Sequence, residues 1–210
     1  MTEFWEASFK DKQEMWGWEA ADSALSAAAL FNKNELRKVL IPGFGYGRNA
    51  KVFMDRGFEV TGIEISETAI GIAKREFGDS VRICHGSVSA MPFDDELYDG
   101  IFCYALLHLL NNEDRIKLIS DCYAQLKPGG YMVFVSLSKE DFRYGQGREI
   151  GKDTFEMQYG VRLFFYDADS IRAEFGDAGL VDAKEISEPD KATDGRAQQR
   201  FWYIVCEKPV

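Results

Sequence analysis

The chain has 210 residues, 46% of them hydrophobic and 14% aromatic, which predicts one folded domain with a sizeable core and excludes a disordered chain. Its formal net charge is −10. This charge disfavours a protein that binds the phosphate backbone of nucleic acid over a broad surface, although a local basic pocket stays open.

The N-terminal sequence MTEFWEASFKDKQEMWGWE is polar and acidic, which is not typical of a secretory signal peptide. The longest apolar run, GIFCYALLHLL, is too short to span a bilayer. The four cysteines stand alone, without a CxxC pair or a Cys/His cluster of metal spacing, and this pattern favours a reducing compartment. We therefore expect a cytoplasmic protein without a metal site or a membrane partner.

Strand and helix patterns alternate along the first two thirds of the chain. The predicted strands are residues 37–41 and 58–65, followed by strands within VRICHG, DGIFCYALL and YMVFVSL. The predicted helices are residues 48–56, 66–77 and 112–126, and the second of them has Ser66 as a candidate N-cap. KPGG predicts a turn. Alternation of this kind predicts crossover units and a parallel sheet.

The C-terminal third has a different pattern. VRLFFYD predicts a short strand and DADSIRAEFGDAGL a helix. VDAKEIS and RFWYIVCEK predict two closing strands, a hairpin-like pair joined by the polar loop 188–199. Residues 138–160, rich in glycine and charge, predict a loop inserted before the last helix. No interdomain linker or repeat interrupts the chain, so residues 1–210 are expected to form a single domain.

The stretch LIPGFGYGRN, directly after the first strand, has glycines at positions 43, 45 and 47. In an open parallel sheet, ligands bind at the carboxyl ends of the strands, where bare backbone allows close approach. The dinucleotide fingerprint GxGxxG is not met, because Arg48 stands at its third glycine position. The phosphate-loop pattern ending in Gly-Lys-Ser/Thr is also missing from the sequence.

Glu64 ends the second strand, 21 residues after Gly43. A carboxylate at this place can accept hydrogen bonds from both hydroxyls of an adenosine ribose and would oppose a 2′-phosphate. Alone it would be read as a solvated residue at a strand terminus. Together with the glycine turn it predicts a nucleoside site.

At this point the chain resembles a class I S-adenosylmethionine-dependent methyltransferase, over roughly residues 15–210. Five segments look like the five motifs of that family in order: VLIPGFGYG, TGIEIS, HGSVSAMPF, YDGIFCYALLHLL and LKPGGYMVF. The Pro-Gly start and the Gly-Arg-Asn end of the first motif also look like the branch that holds thiopurine, halide and tellurite-resistance methyltransferases. The resemblance implies a small-molecule acceptor and a Rossmann-like, doubly wound sheet of seven strands, mostly parallel with an antiparallel last strand.

The resemblance also implies a set of residues that contact S-adenosylmethionine and its product S-adenosylhomocysteine. Main chain at Gly43 and Gly45 would lie against the methionine part and ribose, Glu64 would hold the ribose hydroxyls, and Ile65 would pack on the adenine. The adenine edge would meet Ser87 and the amide of Val88, and the sulfonium would lie near residues 103–105, including Cys103 and Tyr104. The first motif adds Phe44, Gly47, Arg48 and Asn49 to the implied contacts.

The chain departs from the family pattern in two motifs. The family usually has an acidic residue two places before the first glycine, where this chain has Ile41. The third motif usually has Asp where Ser87 stands, and a hydroxyl accepts a hydrogen bond without charge assistance. Both departures put single contacts in question rather than the class of cofactor.

Two side chains near the glycine turn can be interpreted in two ways. Arg48 is either a solvated residue on the first turn of a helix or a partner for the methionine carboxylate. Trp16, together with Trp18, either staples the first helix to the core or folds over the cofactor, where its ring would attract the sulfonium.

Displacement at a sulfonium depends on alignment and needs a base only if the acceptor must lose a proton. His108 is the candidate base, with a local structural role as the alternative. Tyr104 is a candidate for lining the methyl site, or else a core residue. The acceptor pocket is expected between a helical cap of residues 1–35 and an insertion of residues 138–165, which offers four side chains for an anionic molecule or else a solvated loop. These are Arg143, Tyr144, Arg148 and Arg162.

Two other classes of function stay open. One is a regulatory protein that binds S-adenosylmethionine without catalysis. The other is a nicotinamide-dependent oxidoreductase, which Arg48 in the fingerprint position disfavours. The identity of the acceptor atom and the oligomeric state are not specified by the sequence.

Overall fold

The computed structural model describes residues 2–190 and 198–210. Its ten strands are β1 (Lys38–Pro42), β2 (Glu59–Glu64), β3 (Arg82–His85), β4 (Tyr98–Tyr104), β5 (Leu126–Leu137), β6 (Arg148–Gly151), β7 (Thr154–Glu156), β8 (Arg162–Phe164), β9 (Leu180–Glu188) and β10 (Gln199–Glu207) in the described ranges. The α-helices there are α1 (Thr2–Lys12), α2 (Asp22–Lys33), α3 (Ala50–Met54), α4 (Glu67–Phe77), α5 (Asn112–Gln125) and α6 (Ala168–Phe175).

Seven strands form the central sheet, in the order β3-β2-β1-β4-β5-β10-β9. Neighbours from β3 to β5 are parallel, whereas β10 is antiparallel to both β5 and β9. The predicted Rossmann-like, doubly wound sheet with a reversed last strand is therefore confirmed. The strand order reverses direction between β1 and β4, which creates a topological switch point at the carboxyl ends of these strands.

The sheet is buried on both faces, as the apolar runs in its strands predict. Alternate residues of β1 point into different core clusters: Val39 and Ile41 pack with α2 and α3, whereas Leu40 packs on the opposite face with α5 and α6. On β4, Phe102 likewise packs on the face with α2 and α3, and Cys103 packs on the face with α5 and α6. The carboxyl ends of the strands are thus held rigidly from both sides.

Helix starts follow local capping chemistry. The predicted N-cap Ser66 accepts a hydrogen bond from the Ala69 N–H (3.1 Å), as expected for a helix that begins at Glu67. Asp167 caps α6 through a reciprocal pair of hydrogen bonds with Ser170. In contrast, α2 begins after Ala21, which has no side chain able to cap it.

Two predictions about local structure are wrong. KPGG is not a turn but lies within β5, because Leu126 pairs with Tyr98 and the Gly129 N–H donates to the Lys208 carbonyl (2.7 Å). The region 138–160 is not an irregular loop, since β6 and β7 pair with β8 in an antiparallel sheet. Phe155 attaches this small sheet to the main core. In the polar loop 188–199, residues 191–197 lie outside the described residues.

The predicted helical cap contains α1 and α2, and α1 packs on α4. Glu6 joins these helices by accepting hydrogen bonds from the hydroxyls of Ser66 (2.6 Å) and Thr68 (2.7 Å). These bonds lower the pKa of Glu6 to about 2. Through residues 2–190 and 198–210, no helix combines the length and apolar character needed to cross a bilayer.

Candidate functional site

The glycine turn after β1 is fastened to β2. The N–H groups of Gly43 and Phe44 both donate to the Ile63 carbonyl, at 3.0 and 2.9 Å. Gly43, Gly45 and Gly47 have φ angles of +71°, +59° and +91°, in the region that side chains other than glycine rarely occupy. The glycine pattern in the sequence therefore reflects a backbone that turns sharply at the switch point.

The glycines at positions 45 and 47 serve different purposes. A Cβ on Gly47 would lie 2.4 Å from the ring of Phe77, so this glycine is required by packing. A Cβ on Gly45 would meet nothing within 4 Å. Gly45 thus faces open space, and a ligand could approach its main chain closely.

Glu64 ties the turn to the end of β2. Its Oε2 accepts from the Gly45 N–H (2.7 Å), and its Oε1 accepts from the N–H groups of Ile65 and Ser66 (2.9 Å each). Glu64 is only 6% exposed, and this burial raises its pKa against the opposing effect of the backbone hydrogen bonds. Because a carboxylate offers about four lone-pair sites, it retains capacity for a further hydroxyl donor.

The predicted adenine-binding residues follow β2 and β3. Ile65 is half-buried directly after Glu64. Ser87 accepts a hydrogen bond from the Ser89 N–H (3.3 Å) and so caps the single helical turn Val88–Ala90. The Val88 side chain is buried in the core.

The glycine turn also holds the N-terminal segment through Tyr46. The Tyr46 hydroxyl donates to the Gly17 carbonyl (2.6 Å) and accepts from the Trp16 N–H (3.2 Å). The Trp16 ring stacks on Tyr46 with centroids 6.2 Å apart, and Trp18 meets the same ring edge-on at 5.2 Å. Trp16 remains 42% exposed. In this structure the two tryptophans pack the segment against the turn, and contact between Trp16 and a cofactor stays a prediction.

Arg48 and Asn49 contact the same segment. Arg48 Nη1 donates to the Glu19 carbonyl (3.2 Å), and Asn49 Oδ1 accepts from the Ala21 N–H (3.0 Å). The Arg48 guanidinium also lies 5.7 Å from the centroid of the Tyr104 ring. Arg48 is thus held at the switch point rather than extended into solvent, and its pairing with a methionine carboxylate stays a prediction.

Tyr104 ends β4 on the face of the sheet that carries α2. Burial raises its pKa, the adjacent Glu188 carboxylate raises it further, and Arg48 opposes the shift. Cys103 points to the other face, where burial raises its pKa. If Cys103 contacts a cofactor at the switch point, we therefore expect it to do so through its main chain.

His108 is buried behind β4. Its Nδ1 accepts from the Leu137 N–H (3.4 Å) and lies 3.3 Å from the Ser136 hydroxyl. Because a backbone amide can only donate, Nδ1 is unprotonated and the proton of the neutral ring is on Nε2. Burial lowers the pKa of His108 to about 3. The ring is therefore neutral near pH 7, with its basic nitrogen facing the protein main chain.

The insertion of residues 138–165 neutralises much of its own charge through internal contacts. Arg143 pairs with the buried Asp141 (2.6 Å), and Arg148 pairs with Glu156 (3.0 Å). The Tyr144 hydroxyl donates to Asp153 (2.9 Å). These contacts reduce the capacity of Arg143, Tyr144 and Arg148 to bind an anionic acceptor, whereas such a role for Arg162 stays a prediction.

Glu188 is a residue that sequence analysis missed. It ends β9 and is 5% exposed, and its Oε1 accepts from the Ser23 N–H (2.6 Å). Neither Glu188 Oε2 nor the buried Ser23 Oγ has a hydrogen-bond partner of acceptable geometry among residues 2–190 and 198–210. No sequence spacing could have linked residue 188 to residue 23, because only the sheet topology brings them together.

Comparison with known proteins agrees with this architecture. The methyltransferase domain family matches residues 40–134. The tRNA N(3)-cytidine methyltransferase of Danio rerio is 27% identical over 157 residues, covering 68% of this chain and 44% of that protein. The ubiquinone biosynthesis O-methyltransferase of Alkalilimnicola ehrlichii is 27% identical over 114 residues, covering 52% of this chain and 45% of that one. The chain therefore spans less than half the length of these two relatives.

Solved structures show the same fold along the chain. The 1,6-didemethyltoxoflavin-N1-methyltransferase of Burkholderia thailandensis, solved with 1,6-didemethyltoxoflavin and S-adenosylhomocysteine, has a TM-score of 0.76 at 18% identity, covering 100% of this chain and 87% of its own. TehB of Haemophilus influenzae has a TM-score of 0.65 at 19% identity, covering 87% of this chain and 61% of its own. Residues 40–134 therefore match a methyltransferase domain, and the topology of the sheet agrees with the fold of these solved methyltransferases.

Proposed function

We propose that the protein transfers a methyl group from S-adenosylmethionine to a small-molecule acceptor by in-line displacement. The observation that carries this proposal is the open space at Gly45 beside the buried carboxylate of Glu64, at the switch point of the sheet. In this arrangement the Gly43 and Gly45 main chain would hold the methionine part, and Glu64 the ribose hydroxyls. Ile65, Ser87 and Val88 would enclose the adenine.

S-adenosylmethionine supplies an electrophilic methyl group when it is bound. The contribution of the protein is to align the acceptor and exclude water, which can supply much of the rate in a displacement reaction. Tyr104 lies at the end of β4 with Arg48 above its ring, in the position proposed for the methyl site. His108 would support this wall through Leu137 rather than take a proton, because its unprotonated nitrogen is already an acceptor.

A small-molecule acceptor is supported by charge and by similarity. The net charge of −10 disfavours extensive contact with a nucleic acid backbone, although one relative acts on tRNA according to its name. The Burkholderia protein of similar fold was solved with a small heterocyclic acceptor. Free cysteines, three of them buried, support a reducing, cytoplasmic setting.

The proposal is tested first by calorimetry with S-adenosylhomocysteine and, separately, with NAD. We expect binding of the former and none of the latter; the reverse would favour an oxidoreductase. A screen of thiols, halide, tellurite, alcohols and amines with labelled S-adenosylmethionine then tests for transfer. Binding without transfer to any acceptor would favour a regulatory protein, and Glu64→Ala serves as the control for background labelling.

A further inference from the structure

Glu188 caps a helix, but this role uses only one of its two oxygens. The start of α2 lacks a capping side chain at Ala21, and Glu188 Oε1 supplies the missing acceptor to the Ser23 N–H. A carboxylate is also favoured there by the positive end of the helix dipole. Capping therefore explains Oε1. The Tyr104 hydroxyl is a polar neighbour of the Glu188 carboxylate, but Oε2 has no hydrogen bond of acceptable geometry in the described residues.

The second buried polar atom is the hydroxyl oxygen of Ser23, the residue whose N–H donates to Glu188. Ser23 is 2% exposed, and its hydroxyl has no hydrogen-bond partner within the part of the chain that the structure describes. A buried polar group without a partner costs free energy, so such groups are rare in folded proteins. Two of them on adjoining side chains indicate a place where a ligand completes the hydrogen bonds.

The pair lies near Tyr104, which the proposed function assigns to the methyl site at the end of β4. Phe201 pairs with Ile186 on β9, two residues before Glu188, and its ring centroid is 5.9 Å from that of Tyr104. The Glu188 carboxylate also raises the pKa of Tyr104. Asp22, the residue before Ser23 at the start of α2, is exposed, and its carboxylate accepts a hydrogen bond from the Asp190 N–H (2.8 Å) on the outside of the molecule. Glu188 thus faces inward where Asp22 faces outward.

The chemistry of the pair specifies the ligand group. Glu188 Oε2 can only accept a hydrogen bond when ionised, and the Ser23 hydroxyl can accept one as well. An ammonium group offers three donors and a compensating charge, whereas a thiolate or halide offers no donor and would be repelled. We propose that Glu188 and Ser23 form a binding subsite for an amino group on the methyl acceptor.

This inference rests on the proposed function, since it concerns the acceptor of the same reaction. It is tested on protein saturated with S-adenosylhomocysteine, using benzylamine, benzyl alcohol and toluene as probes of matched shape. We expect benzylamine to bind roughly tenfold more tightly than either neutral probe, the size of a charge-assisted hydrogen bond. Glu188→Gln should remove this preference, because its amide nitrogen replaces an acceptor with a donor while its oxygen still caps α2.

Asp22→Asn is the matched control, because it neutralises a carboxylate at the same helix start and should keep the amine preference. Thermal unfolding is measured for every variant. If Glu188→Gln does not fold, Ser23→Ala decides, since it removes a hydroxyl without a partner in the described residues and should reduce the preference several-fold.

Equal binding of benzylamine and benzyl alcohol to the wild-type complex would overturn the subsite and leave the proposed function intact. The subsite would also be overturned if folded Glu188→Gln kept the preference for benzylamine. If Glu188→Gln does not fold, the same conclusion would follow from a preference that persists in Ser23→Ala. Failure of the wild-type protein to bind S-adenosylhomocysteine would instead overturn the proposed function, and the subsite with it.

Discussion

Glu64 has two roles at the residue scale, and they can be separated by substitution. Glu64→Ala should weaken binding of S-adenosylhomocysteine by roughly tenfold or more, because a charge-assisted hydrogen bond to the ribose contributes about 1.5–3 kcal/mol. It should also destabilise the fold, since the N–H groups of Gly45, Ile65 and Ser66 lose their acceptor. Calorimetry and urea denaturation measure the two effects.

Glu67→Ala is the control for this change, because Glu67 is an exposed carboxylate in the first turn of α4. Its affinity for S-adenosylhomocysteine should equal that of the wild type. Unchanged affinity in Glu64→Ala would remove Glu64 from the cofactor site and leave it as a structural support for the glycine turn.

Gly45 is expected to be required for the ligand more than for the fold. Gly45→Val should abolish binding of S-adenosylhomocysteine, because its side chain would occupy the open space beside the turn. The positive φ of +59° adds backbone strain of roughly 1–2 kcal/mol. Gly47→Ala is the comparison, and it should destabilise the protein through contact with Phe77. A folded Gly45→Val protein with normal affinity would show that the glycine serves only the turn.

His108→Asn should leave most of the methyl transfer activity, measured with whichever acceptor the screen identifies. Asparagine offers an acceptor near the position of Nδ1, so the Leu137 N–H can keep its bond. A general base typically contributes 10²–10⁴-fold, so a loss of less than about tenfold would assign His108 a structural role. A loss within the catalytic range, with unchanged cofactor affinity and an altered pH profile, would make His108 the base.

At the scale of elements, the docking of α1 on α4 should depend on pH through Glu6. Its pKa is about 2 in the folded protein, against a usual value of 4.5. A lowered pKa means that the carboxylate contributes stability above pH 4.5, and this contribution is lost as the pH falls towards 2. The difference in unfolding free energy between the wild type and Glu6→Gln should therefore shrink over that range.

Circular dichroism during acid titration, combined with urea denaturation at each pH, measures this difference. Glu3→Gln is a suitable control, because Glu3 lies on an exposed position of the same helix. A constant difference between the wild type and Glu6→Gln from pH 5 to pH 2 would contradict the coupling.

The elements also differ in how well the sequence predicts them. α4 could be predicted because Ser66 and the apolar spacing after it act locally. β5 was predicted too short, because the pairing of Leu126 with Tyr98 outweighs the turn propensity of KPGG and cannot be inferred from local spacing. The small sheet was missed for a similar reason, since Phe155 is attached to a core formed by distant residues.

At the scale of the whole molecule, the order of motifs predicted the topology, which the structure confirms, and a place for the cofactor site, which stays a prediction. The topology was predictable because the carboxyl ends of parallel strands converge whatever the loops between them contain. The acceptor side was not predictable in the same way. Glu188 and Ser23 meet only after β9 has folded beside β10 at the edge of the sheet, so neither residue carries a signal in its own neighbourhood.

The hydrogen bond from the Tyr46 hydroxyl to the Gly17 carbonyl connects the glycine turn to the N-terminal segment that follows α1. Any molecule that immobilises the turn also immobilises the chain leading from α1. Thermodynamic reciprocity then requires that docking of α1 favours that molecule by the same factor. Amide protons of α1 should accordingly exchange with deuterium more slowly when S-adenosylhomocysteine is present. Identical exchange rates with and without S-adenosylhomocysteine would mean that docking of α1 is not coupled to cofactor binding.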